Sequence, residues 1–192
     1  MSAMTIAKSE LILGGQKSGK SRRAELLARH WLTQSPGHHA VMVATARPWD
    51  EEMRVRIARH QQDRAERVPG MRTVEEPLQL AQAITQHSTP DTLVVVDCLT
   101  LWLTNLLMPA PGLELTDTEA TREQASLVDA IASAPGPVVL VGNEIGLGVI
   151  PLGRETRAFV DALGKLNQDV AAACRRVTLM AAGLSLTLKD FS

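Results

Sequence analysis

The chain has 192 residues, 45% apolar and 21% charged, enough for one domain with a sizeable core and too few for two. Its formal net charge of -1 excludes a general attraction to nucleic acid or to anionic membranes, so any anion site must be local. Aromatic residues are scarce, with no Tyr, and no stretch of about 18 apolar residues is present, which argues against a base-stacking platform and a transmembrane helix.

The opening "MSAMTIAKSE" lacks the apolar centre of a signal peptide and reads as a loose tail over residues 1–9. A single catalytic domain is expected over 10–192. "ELILGG" is a short buried strand running into glycines, and Ser21 to Leu32 carries a helical pattern. "HHAVMVATA" is a second strand, followed by the charged helix "EEMRVRIARHQQDR" from Glu51 to Arg64. "TLVVVDCLT", "GPVVLVGNE" and "RVTLMAAG" are further strands, with helices over Leu78–Gln86, Asp117–Ala134 and Glu155–Arg175. The apolar "LTLWLTNLLM" suggests a buried helix or a subunit interface, with Trp102 a packing or assembly residue. Continuous Val/Leu runs imply strands covered on both faces, and strands alternating with helices imply an α/β domain with a mainly parallel sheet. The closing "SLTLK" follows a Gly183–Leu184 link, which predicts a hairpin and one antiparallel edge strand near the C-terminus. Cys98 and Cys174 fit neither a disulfide framework nor a zinc spacing, as in a reduced, cytoplasmic setting.

Between the first strand and its helix, "GGQKSGKS" contains G-x-x-x-x-G-K-S as Gly14, Gly19, Lys20 and Ser21. Glycines let successive backbone N–H groups curl around phosphate oxygens, and the following helix adds its positive end. Lys20 would reach the β and γ phosphates, and Ser21 would supply an oxygen to Mg²⁺. Such loops work with an acid at another strand end, and Asp97 ends "LVVVD", where an unpaired carboxylate would otherwise be costly. A helix cap is the plainer role for it. Asn143 and Glu144 end a further strand before the glycine-rich "IGLG", a substrate loop or a plain turn. In the charged helix, Met53, Ile57, His60 and Arg64 share a face at helical spacing. His60, among Arg56, Arg59, Arg64 and Arg67, could be an idle core-edge residue, an ion-pair partner or a nucleophile beside bound anions.

Four segments in order, "GGQKSGKS", "ATARPWDEEMRVRIARHQQDR" with "RTVEEP", "VVVDCLTLWLTNLL" and "VGNEIGLGVIP…LGKLNQ", resemble the bifunctional adenosylcobinamide kinase/adenosylcobinamide-phosphate guanylyltransferase family of cobalamin biosynthesis. The resemblance spans Leu11 to Lys189. It departs at Met71, where Trp would be expected, and at Gln16–Lys17, where Ala–Arg is common. It implies a P-loop (RecA-like) three-layer fold. It also implies phosphorylation of adenosylcobinamide by ATP or GTP, then transfer of GMP from GTP to adenosylcobinamide phosphate, releasing pyrophosphate. The implied intermediate is a GMP-histidine at His60. Lys20 and Asp97 would assist, with Ser21 and Asp97 on Mg²⁺. The implied nucleotide contacts are Gly14, Gly15, Gln16, Lys17, Ser18, Gly19, Lys20 and Ser21. Further contacts would come from Ala44, Thr45 and Ala46, from Gln61, Gln62, Asp63 and Arg64, and from Glu75 and Asp97. A homotrimer is implied, with no nucleic-acid or membrane partner. A simple small-molecule kinase and a nucleotide-gated interaction module are the alternatives.

Overall fold

The computed structural model describes residues 4–48, 51–109, 111–112 and 114–191, apart from the side chains of Met53 and Arg56. Seven strands form one sheet: β1 (Ser9–Gly14), β2 (His39–Ala44), β3 (Met71–Glu75), β4 (Thr92–Asp97), β5 (Val138–Asn143), β6 (Arg176–Ala181) and β7 (Leu184–Asp190). Their spatial order is β3-β2-β4-β5-β1-β6-β7. Every pairing is parallel except β6 with β7. The helices are α1 (Lys20–Gln34), α2 (Glu51–Arg67), α3 (Leu80–His87), α4 (Leu99–Leu107), α5 (Asp117–Ser133) and α6 (Arg154–Ala173).

Strand periodicity divides the core in two. Leu11, Leu13, Val94, Val96, Val138 and Leu140 meet α3, α4, α5 and α6 on one face. Ile12, Leu93, Val95, Val139 and Val141, the intervening residues, meet Ala24, Leu27 and Ala28 of α1 and Val68 after α2 on the other. The result is the expected three-layer α/β fold. Among the described residues, no helix is long and apolar enough to cross a membrane.

The sheet extends one strand beyond the expected set. "MRTVE" forms β3, an edge strand whose Arg72, Thr73 and Glu75 are exposed, so it lacks the apolar run that reveals a buried strand. The hairpin link is Ala182–Gly183 rather than Gly183–Leu184, with φ of 51° and 79°, the two left-handed residues that a tight hairpin turn requires. The tail expected over 1–9 is tied down from Thr5. Arg176 donates to the Thr5 carbonyl at 2.8 Å, Val138 N–H donates to the Lys8 carbonyl, and Ser9 opens β1.

α4 binds the ends of three neighbouring strands together. Asn105, 1% exposed, donates through Nδ2 to the Thr45 carbonyl at 2.8 Å and to the Pro77 carbonyl at 3.0 Å. Trp102, fully buried, donates to the Leu78 carbonyl. Asn105→Ala strands two carbonyl contacts in a dry setting and is expected to cost about 1–3 kcal/mol. For a chain of this size that lowers Tm by about 2–4 °C per kcal/mol, measurable by calorimetry. An unchanged Tm would show that the lock carries no load.

Candidate functional site

The phosphate loop curls as its glycines allow. Gly14 has φ of 154° and Gly19 of 102°. A Cβ on Gly14 would lie 2.4 Å from the Met180 carbonyl oxygen and 2.5 Å from Ser18 Oγ, so that position admits no side chain. Gly19 stands at the N-cap of α1, no side chain caps the helix and no acid occupies its first turn. Its first N–H groups and dipole are thus free for an anion. Lys20 is 7% exposed and folds back to donate from Nζ to the Gly15 carbonyl at 2.6 Å. Burial pulls its ammonium pKa below the ordinary value, against the opposing pull of Cys98 and the Asp97 carboxylate. A cavity of about 390 Å³ opens here, lined by Lys17 to Arg22 and by Arg67.

Arg67 did not figure among the expected nucleotide contacts. It comes from the last turn of α2, held by Glu25 at 3.2 Å and Asp63 at 3.4 Å. In the sequence it is one arginine among several, and only the packing of α2 beside α1 distinguishes it.

β5 separates the phosphate-loop strand β1 from β4, so Asn143 and Glu144 emerge between the loop and Asp97. Asn143 pairs with Gly14 in the sheet, and Glu144 N–H donates to the Gly14 carbonyl at 3.0 Å. Asp97, half-buried, does not cap α4. The N-cap is Cys98 and no side chain caps it, so the carboxylate remains available to a ligand. The Cys98 thiol is pushed up to about 12 by burial and is no nucleophile.

A second cluster gathers at the ends of β2 and β3. Gln61 of α2 donates to Glu75 Oε1 at 2.9 Å, which brings two expected contacts together one residue from His60. His60 is exposed, and the core-edge role is excluded. Arg64, expected on its face, is 8% exposed and turned inward to Thr73 Oγ1. The face expected to begin at Met53 lies outside the described side chains at that residue, as does the expected neighbour Arg56. Gln62 is exposed, and Asp63 is engaged by Arg67. Thr45 is fully buried. Its hydroxyl donates to the Cys98 carbonyl and accepts from Cys98 N–H, its own N–H donates to the Asp97 carbonyl, and Asn105 binds its carbonyl. It therefore holds Ala44 and Ala46 in position and offers no free polar group.

The sequence places this arrangement among known proteins. A family described as CobU, cobinamide kinase / cobinamide phosphate guanyltransferase, matches residues 10–188. The chain belongs to that family. Relatives include the bifunctional adenosylcobalamin biosynthesis protein CobP of Pseudomonas aeruginosa, 44% identical over 94% of this chain and 96% of the relative. The corresponding CobU of Escherichia coli is 35% identical over 93% and 98%. In shape alone, the fold is similar to the flagellar accessory protein FlaH of Methanocaldococcus jannaschii, with a TM-score of 0.56 at 10% identity over 98% of this chain and 81% of that one. A Pyrococcus horikoshii OT3 protein gives 0.53 at 10% identity, over 98% and 89%.

Proposed function

We propose that the protein phosphorylates adenosylcobinamide with ATP or GTP and then transfers GMP from GTP to the new phosphate, through a GMP bound to His60. Family membership over 10–188 carries the two activities. The exposed histidine beside the Gln61–Glu75 pair is the observation that supports the covalent route.

In the kinase step, the loop amides and Lys20 hold the phosphate chain, and Lys20 neutralises charge on the transferred group. Glu144, whose Oε1 accepts from Gly146 N–H at 2.7 Å, would orient the acceptor hydroxyl with its other carboxylate oxygen. Ser21 and Asp97 would hold Mg²⁺, because a hydroxyl and a carboxylate are hard oxygen donors of the kind it takes. The bound ion would shield charge on those phosphates. In the transfer step, His60 attacks the α-phosphorus of GTP, a nitrogen–phosphorus bond forms and pyrophosphate leaves. The cobinamide phosphate oxygen then attacks, the nitrogen–phosphorus bond breaks and histidine is restored.

A homotrimer in the cytoplasm is part of the same proposal. Support comes from the edge strand β7, where Leu184, Leu186 and Leu188 remain 55–75% exposed, an apolar stripe of the kind that a subunit covers.

Incubation with GTP labelled at the α-phosphate is expected to leave covalent GMP on the protein, labile in acid and stable in alkali as a phosphoramidate should be. A protein that transfers γ-label to adenosylcobinamide but retains no α-label would be a simple kinase. One that hydrolyses nucleotide while ignoring cobinamide would be an interaction module.

A further inference from the structure

The segments "VGNEIGLGVIP" and "LGKLNQ", parts of the sequence resemblance with no nucleotide contact assigned, face each other across a groove of about 550 Å³. Ile145, Val149 and Ile150 of the loop after β5 form one wall, and Gly164, Lys165 and Gln168 of α6 form the other. Val149 is 96% and Ile150 77% exposed. Ile145, which lines the groove, follows by two residues Asn143, which is paired with the phosphate-loop residue Gly14.

Gly164 is the second observation. It lies in the interior of a 20-residue helix, where glycine is disfavoured relative to alanine. Its φ is not left-handed, and a Cβ built on it would meet nothing within 4 Å. Neither backbone conformation nor packing within the chain calls for glycine there. What its missing side chain leaves is open space in the α6 wall of the groove.

We infer that this groove holds the corrin macrocycle of adenosylcobinamide. The inference rests on the proposed activity. The macrocycle is broad, flat and apolar across its faces, and its rim carries amide side chains. Gly164 and the apolar loop residues suit the faces. Gln168 and Lys165, which is paired with Asp169, suit the amides, which both donate and accept hydrogen bonds. One long amide arm of this substrate ends in the hydroxyl to be phosphorylated. Ile145 in the groove lining adjoins Glu144, whose N–H donates to the Gly14 carbonyl of the phosphate loop, so that arm has a short course toward the loop.

Gly164→Ala and Gly164→Leu test the assignment on the full-length protein. Both should fold, because the space is open, and the alanine variant should raise Tm. Gly164→Leu is expected to raise KM for adenosylcobinamide by about tenfold or more, the scale on which one misplaced apolar group is discriminated. The KM for nucleotide and α-labelling by GTP should be unchanged. Equilibrium dialysis, using the colour of adenosylcobinamide, should report the same loss of binding. An unaltered KM and affinity in a folded Gly164→Leu protein would overturn the assignment. So would a fall in molecular mass by light scattering, which would make the groove a contact with a second copy. Wild-type protein that neither binds nor phosphorylates adenosylcobinamide would overturn the proposed activity as well, whereas a normal wild type with a normal leucine variant overturns the groove alone.

Discussion

His60→Ala is expected to abolish covalent GMP labelling and to lower formation of adenosylcobinamide-GDP by about 10⁴-fold or more, the scale on which a lost nucleophile is felt. Phosphorylation of adenosylcobinamide should stay within about twofold, because His60 is an exposed helix residue whose truncation leaves the core intact. The split is expected because the two clusters have no residue in common. The phosphate cavity is lined by Lys17 to Arg22 and Arg67, whereas His60 adjoins the Gln61–Glu75 pair at the β3 edge. Assaying γ-phosphate transfer and α-phosphate labelling on one preparation reads both outcomes. Full labelling of the alanine variant would place the covalent bond on another residue.

Lys20→Met is expected to lower the kinase kcat by about 10²–10³-fold, the usual result of removing one charge-stabilising donor, without loss of folded protein. The wild-type ammonium sits largely buried against the Gly15 carbonyl, and desolvation there disfavours its charged form. Methionine keeps the aliphatic length without that burden, so Tm of the unliganded variant should hold or rise. The pH dependence has a definite sign. The folded pKa lies below 10.5, so between the two values the unfolded chain binds the extra proton. Lys20 therefore makes unliganded protein gain stability as pH rises through that alkaline window. The methionine variant should lose that slope, measured by denaturant titration at several pH values. A variant with unimpaired turnover would remove Lys20 from the reaction.

What could be read in the sequence was whatever depends on local pattern. Buried strands such as "LVVVD" and "VVLVGN" are apolar on both faces, and the glycine–lysine–serine spacing of the phosphate loop states its geometry in eight residues. β3 escapes local pattern because only part of it is covered and "MRTVE" alternates too weakly to register. The hairpin turn lies one residue earlier than composition indicates because Ala182 accepts a left-handed φ that composition alone would give to glycine. A residue's position along the chain says less about which of its polar groups are free. Thr45 lies beside the site, yet its polar groups all serve Asp97, Cys98 and Asn105. Arg64 was expected beside His60 and is turned to β3, while Arg67, one turn on, reaches the phosphate cavity. Which arginine does which depends on the seating of α2 against α1 and β3, and that is a tertiary fact.

The phosphate loop is encoded early in the chain, yet its surroundings come from far downstream. β1 is flanked by β5 and β6, and Gly183 N–H donates to the Ser18 carbonyl at 3.0 Å. During synthesis, which proceeds from the N-terminus, residues 14–21 must therefore wait until residue 183 has emerged before the loop has all its neighbours. A nascent chain carries the complete motif for most of its translation without the means to hold it in shape. Completion of the loop's surroundings is thereby a late event, and a polypeptide truncated before β6 lacks the Met180 and Gly183 contacts of the loop.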